Sequence, residues 1–84
     1  MSNEKTNEHE KLISKKAMFH KYCKVHISLN DDKGWENGVI KEVGADNLIL
    51  ELSQAGKEKH GVDSLPLFFL EIKDITEYKI EVGA

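Results

Sequence analysis

Trp35-Glu36-Asn37-Gly38-Val39-Ile40-Lys41-Glu42-Val43-Gly44-Ala45-Asp46-Asn47-Leu48-Ile49-Leu50-Glu51-Leu52 decides the fold class of this chain. Two runs with strand composition flank Gly44-Ala45-Asp46, a short turn built from residues that accept tight backbone geometry. In the second run Leu48, Leu50 and Leu52 alternate with Asn47, Ile49 and Glu51, so one side faces a core. Gly38 interrupts the first run. A glycine inside a strand weakens it and marks a sharp bend or bulge, which small curved sheets require.

Upstream, Val25, Ile27 and Leu29 alternate with Lys24, His26 and Ser28 as a half-buried strand. Asn30-Asp31-Asp32-Lys33-Gly34 then reads as a turn, since Asn, Asp and Gly tolerate positive φ. The two aspartates lack the spaced oxygen ligands of a calcium loop. Before that strand, Leu12, Ile13, Ala17, Phe19 and Tyr22 recur at helical spacing, with Lys11, Lys15 and Lys21 mostly off that face. Asn7 is a candidate cap with Glu10 three residues on, giving a helix over residues 7–22 and a disordered tail over 1–6.

Downstream, residues 53–63 read as a polar loop, the longest in the domain. Leu65-Pro66-Leu67-Phe68-Phe69-Leu70 opens a fourth strand reaching Ile72, apolar on both faces. One small core cannot cover both, so the second face is expected to meet another copy of the chain. Pro66 belongs at the strand's start or on an edge. A fifth strand is expected from Ile75 to Val82, with Thr76, Tyr78, Ile80 and Val82 on one face. The expected fold is mostly β: a small, strongly bent, five-stranded barrel with an N-terminal helix, one domain over 7–84 with the barrel at 23–82.

Composition narrows the function. Eighty-four residues bury a modest core, and oligomerisation is one way to supplement it. Cys23 is the only cysteine, the first residues lack the pattern of a secretion signal, and no apolar run is long enough to span a bilayer. A cytoplasmic protein without a membrane partner is expected. Residues 1–21 hold five lysines and three glutamates, and the remainder holds seven lysines and twelve acids, for a net charge of −3 without arginine. Arginine is the usual residue for bidentate phosphate contacts, so its absence weighs against strong nucleic-acid binding.

The order of elements, with Gly38 in the second strand and Asn47-Leu48-Ile49-Leu50 opening the third, resembles the Sm-like family of Sm, Lsm and Hfq proteins. The resemblance covers roughly residues 10–82 as a pattern of elements. It implies rings in which the fourth strand of one subunit pairs with the fifth of the next, and single-stranded RNA as partner. Asn47 matches the family's base-contacting asparagine, and Lys73 stands near the family's basic pair between the last two strands. The subunit interface would then draw on Leu65, Leu67, Phe68, Phe69, Leu70, Tyr78 and Ile80. Val43 stands where the family carries an aspartate, and Glu71 where Sm proteins carry an arginine.

Lys11, Lys15, Lys16 and Lys21 could add contacts to phosphates, although a solvated helix face explains them better. Trp35 and the Phe68-Phe69 pair could stack bases if exposed. His20, Cys23 and His26 have metal-ligand chemistry without a fourth ligand at matching spacing, so no metal or cofactor is expected. His60, Asp63 and Ser64 have the residue types of a catalytic triad, but a polar loop would not hold them in fixed geometry, and no enzyme is expected. The alternative to an RNA-binding ring is an adaptor module that uses the same barrel to assemble and dock protein. The acidic balance and Glu71 favour that alternative.

Overall fold

The computed structural model describes residues 4–78. In chain order these form α1 (Glu4–Phe19), β1 (Lys24–Leu29), β2 (Trp35–Val43), β3 (Asn47–Leu52), α2 (Gln54–His60), β4 (Ser64–Phe68), a 3₁₀ turn (Phe69–Glu71) and β5 (Ile72–Glu77). All pairings are antiparallel, and one sheet runs β4-β3-β2-β1-β5. The sheet is open, with β4 and β5 as its two edges, so the chain forms a bent five-stranded antiparallel sheet with an N-terminal helix.

Alternation places one side of each central strand inward: Val25 and Ile27 on β1, Ile40 on β2, and Leu48, Leu50 and Leu52 on β3. Gly38 shares that side, and its reason is steric. A Cβ there would sit 2.1 Å from the Glu51 carbonyl oxygen, so β2 and β3 close on each other only around a glycine. Register shifts near Lys41 in β2 and between Ser28 and Leu29 of β1 bend the sheet further. In the β1–β2 turn, Asp31 and Asp32 both have φ 58° and Gly34 has φ 92°, the geometry its composition favours.

Helix α1 begins at Glu4, earlier than its cap signal at Asn7 implied, and residues 1–3 lie outside the described chain. Ile13 and Ala17 seal the core with no exposure. The apolar face is narrower than its periodicity indicated, because Leu12, Phe19 and Tyr22 point outward. The Lys16 ammonium lies 2.5 Å from Asp74 Oδ1, and the His9 ring lies within hydrogen-bond reach of the Ile72 carbonyl (2.7 Å), tying the helix to β5.

Two expectations need correction. Residues 54–60 are helical rather than loop. The Ser53 hydroxyl accepts from the Gly56 N–H, and Gly61, at φ 73°, donates its N–H to the Lys57 carbonyl at 2.8 Å. The run from Leu65 to Ile72 is not one strand, because β4 ends at Phe68 and the 3₁₀ turn follows. The turn replaces a period of two by one of three, so Leu67, Phe69 and Ile72 all face the core, at 7%, 0% and 0% exposure. Its second face is thus partly absorbed by the subunit itself, leaving Phe68 and Leu70 half exposed.

Candidate functional site

The 3₁₀ turn between β4 and β5 bridges the turns at the two ends of β2. The Phe69 N–H donates to the Asp46 carbonyl at 2.9 Å, joining the β2–β3 turn to the β4–β5 connection. Asn30 closes the cluster from the β1–β2 turn. Its backbone N–H donates to the Glu71 carbonyl at 2.9 Å and its side-chain amide to the Leu70 carbonyl at 2.8 Å. Three chain connections therefore meet through main-chain bonds, which fixes the positions of the side chains they display.

Asn47 opens β3 opposite Phe68 and is half-buried. Its carbonyl accepts from the Gly44 N–H at 2.7 Å, and its side-chain oxygen lies 2.8 Å from where a Gly44 Cβ would stand. The amide thus folds over its own turn and braces it. Lys73 is exposed, beside the register shift where β5 passes Ser28 and Leu29, and forms no ion pair among the described residues. By strand register Lys73 lies at the end of the sheet opposite Asn47, which stands beside the β2–β3 turn, and no hydrogen bond joins the two.

From above, α1 borders the Asn47 end. Glu10, Lys11, Ser14 and Lys15 line a shallow groove whose other wall is Ala45 of the β2–β3 turn. Lys11 and Lys15 are exposed there, whereas Lys16 is engaged by Asp74 and Lys21 stands 5.0 Å from the centre of the Tyr22 ring. The bond to Lys16, aided by the Ile75 N–H, holds the Asp74 carboxyl below its ordinary pKa against a smaller opposing effect of burial. Asp46 supplies negative charge beside Asn47, and Glu71 does so at the end of the 3₁₀ turn, so the surface is mixed in sign.

Of the proposed interface residues, Leu67 and Phe69 are spent on the subunit's own core and Leu65 packs partly against it. Phe68, Leu70 and Tyr78 are exposed at 48%, 52% and 47%, the first at the end of edge β4 and the last just past edge β5. Ile80 lies outside the described residues. Among Trp35, Phe68 and Phe69, only Phe69 is buried, and Trp35 packs its ring 5.1 Å from that of His26.

The remaining candidates are engaged separately. The His26 ring nitrogen Nδ1 lies 2.8 Å from Asn37 Oδ1, and Cys23 packs partly on the core. His60 does not meet Asp63 or Ser64; its Nε2 is 2.8 Å from Glu36 Oε2. Glu36 is the one buried charged residue among the described residues, at 7% exposure, and the pair ties α2 to β2 across 24 positions. Nothing in the local pattern around Glu36 signals that pairing. Among the described residues, no three His, Cys, Asp or Glu side chains gather as a metal site. The arrangement offers amide groups, lysine ammonium groups and exposed aromatic and aliphatic side chains, which suit recognition. No family model and no curated protein matches the chain.

Proposed function

We propose that this chain is an Sm-like subunit that assembles with copies of itself and binds single-stranded RNA at the end of the sheet carrying Asn47. The observation that supports it most is topological. The order β4-β3-β2-β1-β5 leaves β4 and β5 as unpaired edges of one curved sheet, with Phe68 and Leu70 exposed near one and Tyr78 beside the other. Unpaired strand edges with apolar flanks are templates for pairing with another chain. Pairing β4 of one copy with β5 of the next is head to tail, and it yields a ring if the rotation closes. Repetition around a ring would multiply a weak single-subunit RNA contact.

In this reading the Asn47 amide turns out from its own turn to meet a base. Lys73, with Lys11 and Lys15 from α1, contributes charge toward phosphates, giving affinity that falls as salt rises. Titration of labelled short U-rich and A-rich RNA at low salt tests it directly. Saturable binding that Lys73→Glu weakens supports the reading, and no binding to either RNA removes it.

A second reading, a protein-docking module built on the same assembly, is favoured by one feature. Asp46 precedes Asn47 and Glu71 ends the neighbouring 3₁₀ turn, and such acidic groups repel phosphate and attract a basic protein surface. Assembly with no RNA binding at low salt would select it.

A further inference from the structure

The outward side of α1 is apolar as well as the side that packs on the sheet. At about 100° per residue, Lys11, Leu12, Lys15, Met18 and Phe19 fall within an arc of about 120°, opposite Ile13 and Ala17. Glu8 begins the same arc. Leu12 is 50% exposed, Met18 58%, Phe19 80% and, just past the helix, Tyr22 73%. A helix apolar on two opposite sides expects a partner on both.

Tyr22 is displayed against local preference. Its φ is 71°, a left-handed conformation that glycine or asparagine adopts more readily. The Tyr22 N–H donates to the Ile40 carbonyl at 2.8 Å and the Cys23 N–H to the His20 carbonyl at 2.8 Å, which hold the backbone there. A strained residue kept in place by its surroundings points to a use for what it displays.

Beyond Glu8 the charge along this ridge has one sign. From Lys11 to Asn30 the chain has five lysines and no acidic residue, on a protein whose net charge is −3. Only Lys16 of the five is paired with a carboxylate among the described residues.

We infer that the outward face of α1, with Tyr22, is a docking surface for an anionic lipid membrane. The ridge is convex, so it suits a deformable surface. Leu12 and Met18 have no ring to stack on a base but enter an acyl layer readily. Lysines bury their aliphatic stems while their ammonium groups reach lipid phosphates. No described helix is long and apolar enough to cross a membrane, and surface docking requires none. The expectation that excluded a membrane partner rested only on spanning. The inference does not use Asn47 or Lys73, and it shares only Lys11 and Lys15 with the proposed RNA surface.

Flotation of the full chain with vesicles tests it, using phosphatidylcholine alone or with phosphatidylglycerol at about a third of the lipid. The chain should float with the anionic vesicles at low salt, be released by added salt and ignore the neutral ones. Phe19→Ser with Tyr22→Asn should lower partitioning about tenfold, because it removes two inserted rings. Circular dichroism and melting should stay unchanged, since asparagine suits the Tyr22 backbone. Flotation with neither vesicle, equal flotation with both, or undiminished flotation of the variant overturns the inference. So does loss of RNA binding in that variant without any vesicle binding by the parent, which would make the ridge a nucleic-acid surface.

Discussion

Gly38 and Asp74 are the residues whose surroundings permit quantitative statements. Gly38→Ala would drive a methyl group into the Glu51 carbonyl, so β2 and β3 must separate. A loss of about 2–3 kcal/mol in urea unfolding is expected, in the range of overpacked sites. Asp74 is held below its ordinary value of 3.8 by Lys16. The folded protein therefore binds that proton more weakly than the unfolded chain, and the pair's stabilisation is complete above that ordinary value. It is lost as pH falls through the lower folded value. Both partners are more than a third exposed, so Asp74→Asn should cost only about 0.5 kcal/mol near neutrality and flatten the acid limb of the stability profile. Urea titrations of parent and variant across pH compare the two slopes. At Asn47 the turn's hydrogen bond to Gly44 is made by the backbone carbonyl, which alanine keeps, while the amide is proposed to meet RNA. Asn47→Ala should weaken RNA binding severalfold and change stability by no more than about 0.5 kcal/mol, the scale of a surface substitution. A stability loss with unchanged RNA affinity would assign Asn47 to the turn alone.

At the scale of elements, α2 is the addition the sequence concealed. Seven residues are too few to show helical periodicity, and only Ser53 and Gly61 at its ends mark it. Gly61→Ala should cost about 1 kcal/mol, because alanine in the left-handed region is strained, and thermal melting would register it. Strands β1 and β3 were legible because their core residues recur at every second position, and β2 because Gly38 marks its bend between turns that carry Asn, Asp and Gly. The passage from β4 to β5 was not. Where successive positions from Leu65 to Leu70 are apolar, composition cannot tell a period of two from one of three. A bond between Phe69 and Asp46, distant in sequence, accompanies the switch. The same holds for the site. Asn47 stood out through its motif, but the Glu36–His60 tie and the Lys16–Asp74 pair join residues 24 and 58 positions apart with no local mark.

The whole molecule is an open curved sheet capped by a helix at one end, with apolar side chains left at its edges. Phe68 and Leu70 are half exposed, and the proposed assembly would cover them with a neighbouring copy. Leu67 and Phe69 are the wrong residues with which to test this, since changing them unfolds the core. Phe68→Asp with Leu70→Asp alters exposed positions and should leave the monomer folded while abolishing assembly. The first measurement is the molar mass of the purified chain by light scattering over a range of concentrations. Assembly through β4 and β5 predicts a mass of several subunits that falls to that of one in the Phe68→Asp, Leu70→Asp variant. A monomer at every concentration would contradict the account.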